Sequence, residues 1–120
     1  MNAELKQELI DWGVNFEEVK DRLVGNEDLV EKFMFKFLND PSMSQLEQGL
    51  SIGDSEMAFQ GVHALKGVAG NLALYGDGFL ENVRKLTEIL RPRTLDGAKE
   101  VYDLIRPQYN DLISILRKYA

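Results

Sequence analysis

Apolar residues recur at spacings of three and four along almost the whole chain, and no stretch alternates strictly between apolar and polar, so the pattern predicts helices and no strands. Asn15 can cap a short helix running to Val24, with Glu18 in capping-box position and Gly25 as the stop. Asn26 caps the next helix, whose Leu29, Phe33, Phe35, Phe37 and Leu38 read as core material before Asn39, Asp40 and Pro41 break it. Ser42 to Ser51 aligns Met43, Leu46 and Leu50 and ends at Gly53, and Ser55 starts a long helix reaching about Tyr75. Gly76, Asp77 and Gly78 form a turn signal, after which Phe79, Val83, Leu86 and Leu90 repeat at helical spacing until Pro92. A final helix is expected from about Thr94 to Tyr119. Pro107 lies inside it and removes a backbone hydrogen bond at a cost of about 3 kcal/mol, so a kink or restart is expected there. The expected fold is all-α: an antiparallel four-helix bundle with one or two additional short N-terminal helices.

A length of 120 residues accommodates one hydrophobic core, so residues 1–120 are expected to form a single domain. Apolar residues make up 44% and charged residues 28%, which is the balance of a chain that packs. Cysteine is absent, so disulfides, thiolate metal sites and sulfur nucleophiles are excluded. No apolar run approaches the roughly 18 residues of a membrane span, and Met1, Asn2, Ala3 and Glu4 lack the basic-then-apolar order of a signal peptide. A cytoplasmic location is expected. With 14 basic and 20 acidic residues the net charge is −6, which repels nucleic acid backbones and anionic lipid surfaces. The partner expected is therefore another protein, met by a monomer.

One helix carries the candidate chemistry. Advancing about 100° per residue, Ala58, Val62, Leu65, Ala69 and Leu72 fall on one side as a core-facing stripe, about 140° from His63, the only histidine. His63 is therefore expected to point outward, sharing its face with Gln60, Lys66, Gly67, Gly70 and Leu74, with Phe59 at the boundary. Glycine in a helix interior costs roughly 0.5 to 1 kcal/mol relative to alanine. Close helix packing could offset that cost, but Gly67 and Gly70 share the histidine's face and not the core stripe, so clearing space around His63 explains them better. Lys66, three residues on, is a neighbour of His63 on the helix surface, where its ammonium can follow an added phosphate. Neutral imidazole is a competent nitrogen nucleophile near pH 7.

Other classes fit less well. An adaptor would use apolar residues of the N-terminal helices, Leu9, Ile10, Trp12 and Val14, with Trp12 as anchor and an incidental histidine. An enzyme would need a paired acid motif, a nucleotide loop or a nucleophile beside a base, none of which is present. One histidine with scattered carboxylates gives poor support to a metal site.

His63, Ala64, Leu65, Lys66, Gly67, Val68, Ala69, Gly70, Asn71 and Leu72 resemble the H-x-L-K-G-x-A-x-x-L signature of histidine-containing phosphotransfer domains. Arg22 to Asn26 and the Gly53, Asp54 turn are also similar to bacterial members, so the resemblance spans most of the chain. It implies a helical bundle whose exposed His63 accepts phosphate from an aspartate on one receiver domain and passes it to another. The receivers would belong to response regulators or hybrid sensor histidine kinases. Lys66 would neutralise the phosphate, Gly67 would open the approach, and apolar surface near His63 would dock the receiver. The chain would be a relay without an ATP site or bound cofactor, with Mg²⁺ on the receiver. Members commonly have glycine ten residues after the histidine, where this chain has Ala73, and the next helix aligns when two residues are inserted around Gly76 to Gly78. With that insertion Thr87 falls where a Glu or Gln often orients the imidazole, and Arg91 where some members place a basic residue near the phosphate.

Overall fold

Asparagine side chains start the first three helices: Asn2 accepts from the Leu5 amide, Asn15 from Glu18, and Asn26 from Asp28 and Leu29. Each satisfies a backbone donor that the first helical turn leaves unpaired. The computed structural model describes all 120 residues. They form α1 (Ala3–Trp12), α2 (Phe16–Arg22), α3 (Glu27–Phe37), α4 (Ser42–Ile52), α5 (Ser55–Asn71), α6 (Phe79–Leu90) and α7 (Ala98–Tyr119). The only strand-like feature is a single antiparallel bridge between Val14 and Leu74. No helix is long and apolar enough to cross a membrane. The pattern had not delimited α1, so three helices precede Ser42 where one or two were expected.

α4 packs on α5, α5 on α6, α6 on α7, and α7 on α1. The stripe expected on α5 is the one it buries: Ala58, Val62, Leu65, Ala69 and Leu72 all lie in the core. Phe79, Val83, Leu86 and Leu90 of α6 are fully enclosed, as are Leu46 of α4 and Ile105, Leu112 and Leu116 of α7. On α3 the expected set needs correction. Val30, Met34 and Phe37 face the core, whereas Phe33 is exposed and Leu29, Phe35 and Leu38 are half-buried. Phe37 alone satisfies both readings, because the consecutive aromatics spread over more of the helix than one core face can cover.

Two boundaries also move. α5 stops at Asn71, short of Tyr75, because Ala73 adopts a left-handed φ of 54°. The turned-out Ala73 carbonyl then accepts the Asn15 amide at 3.0 Å, tying the α1–α2 link to the α5–α6 link. In the same junction Gly13 takes φ 119°, and a Cβ there would lie 2.5 Å from the Gly76 Cα. α7 begins at Ala98, after Thr94 accepts the Asp96 amide through its hydroxyl and Gly97 turns at φ 80°. Finally, α7 runs through Pro107 without a restart. Pro107 is exposed, as is Asp103, whose carbonyl loses its i+4 donor to the proline, while Ile105 and Leu112 on either side hold the helix to the core.

Candidate functional site

Both ends of the histidine helix are fixed. Asp54 caps α5 by accepting the Met57 amide at 2.9 Å. At the other end the Arg22 guanidinium donates to the carbonyls of Gly70 (2.7 Å) and Asn71 (3.1 Å), a cation on the last carbonyls of a helix C-terminus. His63 sits between these anchors and is exposed, as its helical phase predicts.

The imidazole is placed by stacking. It lies over the Phe59 ring at 5.4 Å between centroids and 22° between planes. Phe59 is only 4% exposed, so it is a platform under His63 and offers almost no surface to a partner, which removes it from the apolar docking surface expected near His63. The Arg93 guanidinium lies 3.8 Å from the Phe59 centroid and that of Arg91 5.4 Å, so the aromatic face is engaged by cations as well. Arg93 is itself anchored by Glu56 and donates to the Arg91 carbonyl at 2.7 Å. Gln60 is exposed and donates to Glu56 at 2.9 Å. Hydrogen bonds from Arg93 and Gln60 hold the Glu56 carboxyl below the usual carboxylate range.

Two other expected site residues are not on the surface. Leu74 is fully buried, because the chain has left the helix by then and the bridge to Val14 turns it into the core. Thr87 is fully buried too, and its hydroxyl donates to the Val83 carbonyl at 2.8 Å. That donor is spent within α6, so Thr87 does not orient the imidazole.

Lys66 and Gly67 are where the spacing places them, half-buried and exposed respectively. Space is open beyond both glycines: a Cβ on Gly67 or Gly70 would meet nothing within 4 Å. The clearing is part of an open depression of about 510 Å³ lined by Lys66, Gly67, Gly70, Asn71, Arg84 and Glu88, with no apolar residue among them. Arg91 grips Glu88 through two hydrogen bonds, of 3.0 and 2.9 Å. The Arg91 hydrogen bonds, with the charges of Arg91 and Lys66, hold the Glu88 carboxyl below its ordinary range. On a chain of net charge −6, cations therefore gather here: Lys66, Arg84, Arg91 and Arg93, against Glu56 and Glu88.

Arg84, Glu88 and Arg93 were missed by sequence reading. The polar face of α6 is visible in its pattern, but only tertiary packing turns it toward α5, and Arg93 lies in a loop with no periodicity to read. Nowhere do three His, Asp or Glu side chains converge as metal ligands would. The adaptor's expected anchors are largely used inside the fold: Leu9 and Val14 are buried, and Trp12 packs edge-on against Phe79 and donates to the Gln108 carbonyl at 3.0 Å. Only Ile10 of that set is exposed. No family model, curated protein or solved structure matches the chain.

Proposed function

We propose that the chain is a cytoplasmic phosphorelay protein that accepts a phosphoryl group on His63 from an aspartyl-phosphate receiver domain and passes it to another receiver. The observation that carries this reading is the surroundings of His63: a solvent-exposed imidazole stacked on Phe59, beside Lys66, above a glycine clearing edged by cations. In this reading α4 to α7, which neighbour one another in chain order, form an antiparallel four-helix bundle, and α1 to α3 are accessory.

In the transfer, the lone pair of the unprotonated ring nitrogen forms the N–P bond as the P–O bond to the donor carboxylate breaks. The electron pair of that bond leaves with the carboxylate, and the other ring nitrogen keeps its proton. A phosphoryl group brings nearly two negative charges, which the Lys66 ammonium and the Arg91 guanidinium can neutralise. Gly67 and Gly70 let a receiver surface come down on the imidazole without striking a side chain. The receiver brings Mg²⁺ and most of the catalytic groups, and this chain acts as a monomeric carrier without an ATP site.

The test is to incubate the chain with a panel of phosphorylated receiver domains and look for a phosphate that is acid-labile and base-stable. The expected result is transfer to wild type and none to His63→Gln. A phosphate that survives in His63→Gln, or no transfer from any receiver, overturns the reading.

A further inference from the structure

The depression beside His63 is lined by two cations, Lys66 and Arg84, and by one carboxylate, Glu88. Glu88 projects from α6 into the same lining as Lys66, Gly67 and Gly70, and its two carboxylate oxygens accept from Nε and Nη2 of Arg91 in a two-pronged grip. Its side chain is 64% exposed and that of Arg91 48%, so neither is locked by packing and the pair can separate at little cost. A carboxylate in this grip presents two anionic oxygens to Arg91 with the geometry that a phosphoryl group would present. The lysine adds to the competition, since its charge also favours the ionised Glu88.

We infer that Glu88 is a resident counter-anion of the site, occupying Arg91 and screening Lys66 while His63 is bare, and giving them up to a tetrahedral oxyanion. This rests on the proposed function for its biological meaning, but the competition itself is a property of the free chain. Two consequences follow from charge balance. Glu88 weakens the hold of the site on any phosphate, and it shortens the life of a phosphoryl group on His63 by competing for the cations that retain it. In that loss the oxygen of water forms a new P–O bond, the N–P bond breaks, and its electron pair stays on the ring nitrogen. Glu88 is thus a positioning residue that acts through Arg91 and Lys66, and it limits how long the signal is stored.

The experiment has two arms. In the first, inorganic phosphate is titrated into the full chain while the amide signals of Gly67 and Gly70 are followed by NMR. Glu88→Gln should bind phosphate about threefold more tightly than wild type, or better. Most of the gain should vanish when Glu88→Gln is made on an Arg91→Ala background, because the guanidinium carries the larger share of the effect and Lys66 the rest. In the second arm, the chain is phosphorylated with phosphoramidate, which needs no receiver, and loss of the phosphoryl group is followed by ³¹P NMR. Glu88→Gln should prolong its life about threefold, and on an Arg91→Ala background it should keep only a small part of that gain. Equal phosphate affinity in Glu88→Gln and wild type, or an affinity gain undiminished when Arg91 is removed, overturns the inference. Failure of receiver transfer with an intact Glu88 effect on phosphate binding would sink the proposed function alone.

Discussion

Two pairs of glycines on neighbouring helices have opposite surroundings. Gly49 of α4 and Gly61 of α5 are buried where these helices meet: a Cβ on Gly49 would lie 2.7 Å from the Ala58 Cα, and one on Gly61 2.8 Å from the Leu46 Cα. The two contacts run in opposite order along the chain, so α4 and α5 are antiparallel and their backbones touch at both points. Gly67 and Gly70, six and nine residues after Gly61 along α5, face empty space. Both pairs forgo helix propensity, but only the first recovers it in packing. A cost that the fold does not recover calls for an explanation outside the fold, and His63 lies on the uncompensated face, four residues before Gly67.

Gly61 is far less able than Gly67 or Gly70 to accept a side chain. The methyl of Gly61→Ala would strike backbone, which cannot rotate away, so α4 and α5 must separate. The expected loss is about 2 to 3 kcal/mol, after a helix-propensity gain of up to about 1 kcal/mol. Urea denaturation would measure it, and a variant as stable as wild type would show that this seam is not tight.

Gly61 also marks the limit of what the sequence reveals. The α5 stripe is legible because Ala58, Val62, Leu65, Ala69 and Leu72 repeat with the helical period, and burial follows from that phase. The outward direction of His63 follows from the same phase. A buried glycine has no side chain to enter the pattern, so the seam with α4 stays hidden. Leu74 was misplaced because the helical phase was extended past Ala73, a residue type that gives no warning of a left-handed turn. Thr87 lies on α6, but sequence spacing does not say that it is fully buried or that its hydroxyl donates to Val83. The cation cluster is split among α5, α6 and the loop after it, so its assembly is a tertiary fact.

At Gly67 the sign should reverse. Gly67→Ala should stabilise the chain by roughly 0.5 to 1 kcal/mol, because the methyl meets nothing and helix propensity improves. For a chain of this length that is a rise in Tm of about 2 to 4 °C, readable by calorimetry. Gly67→Leu should fold as well, yet slow phosphotransfer from a receiver by at least about tenfold by holding the partner off the imidazole. Stability that falls in Gly67→Ala would place this glycine with Gly61, and an unchanged transfer rate in Gly67→Leu would remove the steric role of the clearing.

The smallest effect is expected at Ala73, which stands in a conformation that favours glycine. Its φ of 54° costs an L-residue roughly 1 to 2 kcal/mol, yet its methyl is fully buried. Ala73→Gly relieves the backbone, loses about 0.8 kcal/mol of methyl burial and returns about 0.4 to 1 kcal/mol of freedom to the unfolded chain. These nearly cancel, so the expected change is within about 0.5 kcal/mol. Val24 supplies the contrast: it shares the left-handed backbone at φ 58° but is 92% exposed, so Val24→Gly gives up no comparable burial. Denaturation of the two variants side by side should find Val24→Gly the more favourable by about the methyl's worth, roughly 0.8 kcal/mol. If Ala73→Gly is instead the more favourable, the methyl is not held by the core, and the junction of Ala73 with Asn15 is looser than the Gly49–Gly61 seam that sets the other end of α5.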